Sequence, residues 1–322
     1  MKHTLLVLII LSLWINTYAQ RWKQERKSAI AGIGTNNFMG DLGGGKKNAA
    51  HFFGVRDLDF VTTRPTFQFG YRYRITEIFA VKGYLTYARI AAKDAASGSE
   101  GRRLRNLEFR SNIWELSGQF EYYFIKEKEL PRYTFSSLMS ARNFAAYVFI
   151  GFGTFYYNPK AEYNGKWYAL QPLATEGQGL NHTYTIDFEG AELKTLTTPD
   201  KYKRVAVSFP FGLGAKYNIN KSIGISIEIS NRYTSTDYLD DASDRYFNYT
   251  EQGITPANAK SLVFTDRHLD KDPDGNIIDG VPFRSGQLRR GNPKYNDAMI
   301  FTVISVHYKL PQFFLSGKPK YY

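Results

Sequence analysis

From Ser222 to Tyr233 the chain reads SIGISIEISNRY, so Ile223, Ile225, Ile227 and Ile229 alternate with Gly224, Ser226, Glu228 and Ser230. A period of two is the signature of an extended strand with one apolar and one polar face. The same pattern recurs from Arg64 to Arg74, where Phe67, Phe69, Tyr71 and Tyr73 alternate with Gln68, Gly70, Arg72 and Arg74. Read this way, the chain yields eight strands, near residues 28–37, 64–74, 78–90, 107–124, 144–157, 204–217, 222–233 and 297–309. The last has the weakest alternation, and Pro210 inside the sixth marks an expected bulge, because proline cannot donate to a ladder.

The connections alternate in length. Residues 74–78 and 218–222 are tight turns, whereas 38–63, 90–106, 158–203 and 235–296 are long. The expected fold is therefore all-β: an eight-stranded antiparallel transmembrane β-barrel with long extracellular loops and short periplasmic turns. A soluble periplasmic sandwich with its isoleucines inward would use the same alternation, and the recurrence of the pattern together with an export signal favours the barrel. Lys2 and His3 precede an apolar run from Leu5 to Ile15, and Asn16-Thr17-Tyr18-Ala19 offers a signal-peptidase site, so cleavage is expected after Ala19. That run is about half of the ~20 residues a spanning helix needs. The expected organisation is a signal peptide at 1–19, an outer-membrane barrel at 20–310 and a periplasmic tail at 311–322, with membrane lipid as the first partner.

Composition supports that picture. Aromatic residues make up 16% of the chain, as girdles at two interfaces require, and cysteine is absent. An eight-stranded barrel is just wide enough to be filled by its own side chains. Alternation points Arg72, Arg74, Lys82, Lys216 and Arg232 inward with Glu115, Glu121 and Glu228, which reads as an ionic plug in which buried charges find opposite partners. A net charge of +12 would suggest nucleic acid inside a cell, but export removes that reading and leaves anionic lipid or an acidic partner. The turn at 126–143 is too long for its side of the barrel. Its Lys126, Lys128, Arg132 and Arg142, with Lys309, Lys318 and Lys320 toward the C-terminal tail at the short-turn face, are the candidate partner contacts.

Other chemistry is sparse. Asp270, Asp272 and Asp274 sit in DKDPDGN, the opening of a calcium loop, although Val281 stands where the closing glutamate belongs. An acidic turn without metal is the competing reading, and no other cofactor is expected. An enzyme at the rim would need Asp241 to meet His182 or His268. No nucleophile or metal triad emerges, and a non-enzymatic protein is expected.

Several tracts resemble the PorG-type family of outer-membrane barrels of the type IX secretion and gliding machinery of Bacteroidota. They are Phe38-Met39-Gly40-Asp41-Leu42, Tyr71-Arg72-Tyr73-Arg74, Phe109-Arg110-Ser111 with Trp114-Glu115-Leu116, and the stretch from Asn158 through Gly165-Lys166-Trp167-Tyr168 and Leu170-Gln171-Pro172-Leu173 to Gly179. Asp237 to Ser243 and Arg290-Gly291-Asn292 complete the set, while residues 248–289 match nothing in it. The resemblance implies an outer-membrane barrel that anchors or positions a periplasmic ring, built from a lipoprotein and its partner subunit, around a secretion channel. A surface-loop binding protein or adhesin on the same barrel is the alternative.

Overall fold

The structure is a computed structural model and describes residues 25–43, 62–127, 143–186, 193–269 and 288–310. The described strands are β1 (Lys27–Met39), β2 (Arg64–Arg74), β3 (Phe79–Lys93), β4 (Glu108–Ile125), β5 (Phe144–Tyr156), β6 (Lys160–Tyr163), β7 (Lys166–Ala169), β8 (Thr183–Ile186), β9 (Lys194–Thr197), β10 (Val205–Asn218), β11 (Ile223–Thr234) and β12 (Ala298–Lys309). The eight long ones pair in the order β1-β2-β3-β4-β5-β10-β11-β12, and β12 returns to β1 from Lys309 opposite Ser28 to Ala298 opposite Met39. Every ladder is antiparallel, so the sheet closes into an eight-stranded barrel with no free edge.

The barrel is inside out relative to a water-soluble one. Ile150 and Leu116 on its outer wall are 65% and 64% exposed, whereas Arg72 in the lumen is 1% exposed. Apolar side chains cover the outside of every long strand, among them Ile33, Phe69, Leu85, Leu213, Ile227 and Ile304. Water-soluble monomers rarely expose a contiguous apolar surface beyond a few hundred Å². Aromatic rings mark two levels of this wall. Tyr87 and Trp114 pack at 4.8 Å near one end, and Phe79 packs at 5.6 Å against Tyr122 near the other. Trp114 and Tyr122 are eight residues apart on β4, about 26 Å along the strand. At the ~40° tilt of such barrels that is about 20 Å along the axis, close to the ~25 Å apolar band of a membrane-spanning barrel.

Both tight turns use the same device. The Thr76 hydroxyl accepts from the backbone N–H groups of Ile78 and Phe79, and the Asn220 side-chain carbonyl accepts from Ser222 and Ile223, so each turn satisfies its own donors. Strand ends differ from the expected ones by up to three residues. The largest extension is β3, which continues past Ile90 because Ala91 and Ala92 are buried. Pro210 is not a bulge. The β5–β10 ladder skips Phe209 and Pro210 and resumes in the same register at Phe211 opposite Ile150. The register shift lies instead in β4, between Tyr123 and Ile125. Two short hairpins, β6–β7 and β8–β9, and two single-turn helices, α1 (Glu100–Arg105) and α2 (Lys260–Thr265), give the long loops structure of their own.

Candidate functional site

The inward face changes character along the axis, and β12 shows the change residue by residue. From the long-loop end its buried positions are Met299, Phe301, Val303, Ser305, His307 and Lys309, running from apolar through polar to charged. Its alternation was weak because near the long-loop end both faces meet apolar surroundings. Met299, Phe301 and Val303 join Phe38, Ile90, Phe109, Ile113 and Phe155 in one hydrophobic layer that continues into the loops through Leu170, Leu173, Tyr202, Leu239 and Phe264.

Below that layer the lumen is an ionic network. Glu115 takes two bonds from Arg232 Nε, at 2.9 and 3.2 Å. Glu121 accepts from Arg72 Nε at 2.7 Å and lies 3.1 Å from Lys82, whose ammonium also reaches Glu228 at 2.5 Å. Tyr147 donates to Glu228 and Tyr123 to Glu121. These groups are almost wholly buried, and each charge has an opposite neighbour, as burial in low dielectric requires. All eight expected plug residues are buried on the inward face; Arg72, Glu121, Lys82 and Glu228 form one chain of contacts and Glu115 with Arg232 a separate pair.

The lumen also holds three outside the expected set, of which Glu127 lies beyond any strand while His307 and Lys309 fall on the inward parity of β12. Glu127 was expected in the solvated 126–143 turn, but just past β4 its side chain turns into the barrel. There it accepts from Lys216 at 2.9 Å, Arg72 at 3.2 Å and Asn218 at 3.2 Å, and its backbone carbonyl takes a bond from Arg74 at 3.0 Å. Burial alone would raise its carboxyl, but Lys216, Arg72 and Lys309 outweigh that and hold it well below the usual carboxylate range. Lys309 was expected at the short-turn face among possible partner contacts. It points inward to Glu25 at 2.7 Å and Glu127 at 3.5 Å instead. His307 is buried on β12, 2.8 Å from the Ser226 hydroxyl.

At the other end two arginines join all four long connections. Arg105, at the end of α1, forms a two-nitrogen bridge to Asp94 at 2.6 and 2.9 Å and donates to the carbonyls of Asp41 at 2.8 Å and Arg290 at 2.6 Å. Arg290 lies 3.3 Å from Glu176 and 3.4 Å from Asp241 and donates to the Asp241 carbonyl. Asp241 also accepts from Tyr202 at 2.6 Å and Thr175 at 2.5 Å, while Glu176 accepts from the Ser243 N–H at 2.9 Å. Stacked Tyr157, Tyr202 and Tyr238 rings seal one side. Burial pushes Glu176 up to about 7 against the pull of Arg290. Burial and the nearby Asp240 and Asp41 carboxylates push Asp237 up to about 9, with a Ser243 hydrogen bond opposing. Burial and then the Asp41 carboxylate raise Asp240, and burial and then the Asp240, Asp237 and Asp41 carboxylates raise Asp297. The tracts Phe38–Leu42, Leu170–Gly179, Asp237–Ser243 and Arg290–Asn292 meet in this cap, which nothing in their sequence spacing foretold.

The remaining expectations fall as follows. Lys126 is exposed and 3.6 Å from Glu77. Lys128, Arg132, Arg142, Lys318 and Lys320, the calcium-loop residues Asp270, Asp272 and Asp274, and the leader at 1–19 lie outside the described residues. Asp241 meets neither histidine: His182 bonds Gln252 at 3.2 Å and His268 bonds Asp266 at 2.8 Å, so no Asp/His pair forms around Asp241.

No protein-family model matches the sequence, and no curated protein sequence matches it. Among solved structures the fold is similar to the N-terminal β-barrel domain of Pseudomonas aeruginosa OprF (7% identity, 88% of this chain and 98% of that one, TM-score 0.30). It is also similar to Neisserial surface protein A (6%, 88% and 97%, 0.34) and to Ail, the attachment invasion locus protein of Yersinia pestis (10%, 88% and 98%, 0.32). The likeness stops at the level of the barrel and does not reach individual residues.

Proposed function

We propose that this protein is a non-enzymatic integral outer-membrane barrel whose role is mechanical: it fixes a point in the membrane and holds a periplasmic assembly beneath it. The observation that carries this reading is the filled lumen. A barrel packed with paired charges at one end and apolar side chains at the other has no aqueous path, which leaves its surfaces as the working parts. With the short turns, the start of β1 and the end of β12 on one side, that side faces the periplasm in this reading, and the stitched cap faces outward.

The assembly proposed is the periplasmic ring of the type IX secretion system, made of a lipoprotein and its partner subunit, on the strength of the sequence tracts that resemble PorG-type barrels. The contact is proposed through Lys126 and the turn that follows it, and through the chain's C-terminal tail. The test is affinity capture of the full-length protein from detergent-solubilised envelopes with identification of the retained proteins. Recovery of secretion-ring components, lost when residues 128–142 are replaced by a short hairpin, is expected. Their absence from captures of the intact protein would remove the anchor reading. The surface-binding alternative draws on the cap, where four loops converge on Arg105 and Arg290. Under it, truncating the outer loops should abolish surface binding while replacing the turn at 128–142 has no effect on it.

A further inference from the structure

One strip of the outer wall lacks the paving found elsewhere. Gly83 on β3 and Gly118 on β4 are direct partners across the ladder, and both lie on the outward face. A Cβ at Gly118 would meet nothing within 4 Å, and one at Gly83 only the Ser117 carbonyl at 3.8 Å. Gly118 lies in the floor of an open groove of about 490 Å³ that runs from its level toward the short-turn end, walled by Val81, Phe120, Ile150 and Phe152. Gly118 is four residues from Trp114 and four from Tyr122, midway between the two aromatic levels of this strand.

The same two strands carry a pair of arginines just beyond the outer aromatic level that form no ion pair among the described residues. Moving along the outward face from Gly83 and Gly118, the paired positions are Leu85 with Leu116, Tyr87 with Trp114, Arg89 with Asn112, and then Arg110 opposite Ala91. Arg89 donates to the Asn112 side chain at 3.2 Å, and Arg110 stacks on the Trp167 ring of β7 at 3.5 Å, so both guanidiniums are held by neutral groups. Lys160 of β6 pairs with Arg110 across the ladder, adding a third cation. Among the described residues neither arginine forms an ion pair with a carboxylate. Glu162 is the carboxylate whose field reaches Arg110, and the field of Arg89 opposes it. Glu108, the other acid at this level, is already paired with Lys93 and Arg267. Arg89 lies six residues from Gly83, about 20 Å along the strand and about 15 Å along the axis, which is half the ~30 Å hydrocarbon thickness. A cationic clamp at headgroup level, with an apolar recess opening about one acyl-chain length below it past Leu85, Leu116, Tyr87 and Trp114, matches a lipid with a phosphorylated headgroup.

We propose that Arg89, Arg110 and the groove at Gly118 form a binding site for one phosphorylated outer-leaflet lipid, its phosphate on the arginines and the end of an acyl chain in the groove. The site rests on the membrane-spanning reading above. The test is native mass spectrometry of the full-length protein in neutral detergent, titrated with diphosphorylated lipid A and separately with phosphatidylcholine, with free inorganic phosphate as a further arm. One tightly retained lipid A is expected, favoured at least about tenfold over phosphatidylcholine, since each cation near the headgroups contributes on the order of a factor of five. R89Q/R110Q should remove that preference. Gly118→Leu points only into the groove, so the barrel folds and retention of both lipids falls. Equal retention of the two lipids, preference unchanged by R89Q/R110Q, or phosphate competing as well as the acylated probe would each overturn the site. A second copy of the chain seated on the groove would appear as a dimer that G118L dissociates, and that outcome also overturns it. If instead the protein stays monodisperse without detergent, the membrane reading itself fails, which separates the two.

Discussion

Removing the Glu127 carboxylate isolates one contribution of the lumen network. In Glu127→Gln the shape is kept, Arg72 retains Glu121, and Lys309 retains Glu25, but Lys216 loses its carboxylate partner while its ammonium stays wholly buried. At 2.9 Å and an effective dielectric near 20, the attraction between Lys216 and Glu127 is about 6 kcal/mol. Desolvation already spent on both groups reduces the net effect, and breaking a buried pair from one side typically costs about 3–5 kcal/mol. The expected loss for E127Q is therefore about 3–4 kcal/mol. Adding Lys216→Met should recover most of it, since removing both charges leaves no unpaired ion. Urea unfolding of the protein in lipid vesicles, followed by tryptophan fluorescence, measures both variants and their coupling. A loss below 1 kcal/mol for E127Q, or a double variant no more stable than the single one, would refute the claim that this turn residue belongs to the plug.

Other expectations follow from the cap and from the lumen. Arg290→Ala leaves Asp241 and Glu176 without their shared cation, so the long loops should be nicked by external protease at least about tenfold faster while the barrel stays folded. Glu176 and Asp237 have folded values near 7 and 9, both above their unfolded ones, so their contribution to cap stability is complete below about pH 4 and is lost as pH rises through 7 and then 9. Protease protection of the loops should accordingly fall from pH 5 to pH 9.5, and Glu176→Gln should flatten the portion between pH 5 and 7; protection that rises with pH would contradict this. In planar bilayers the purified protein should show no stable conductance, whereas porin-sized steps would contradict a filled lumen.

Much of the barrel could be read from the chain because lipid-facing and lumen-facing residues differ in kind along most strands. Phe67, Phe69 and Tyr71 against Gln68 and Arg72 fix which face is which without knowledge of neighbours. The plug residues were legible for the same reason, since charges on the inward face of a narrow barrel have nowhere else to go. Where the lumen turns apolar, as at Met299 and Phe301, both faces become hydrophobic and the period fades. Glu127 sits beyond the last alternating residue, so periodicity does not assign it a side. The cap was invisible because its bonds join residues far apart in the chain, such as Arg105 with Arg290 and Asp41 with Asn292, and no local pattern encodes such a pairing.

The chain has no cysteine, so single cysteines can be introduced one at a time. Placed at Leu116, Ile150, Leu213 and Ile227, on four different strands, and labelled with a fluorophore in vesicles, they report directly whether lipid covers the outer wall. Quenching by brominated acyl chains and protection from iodide at all four sites is the expected result. Quenching by iodide with indifference to the brominated lipid would place that wall in water or against protein and contradict a membrane-spanning barrel.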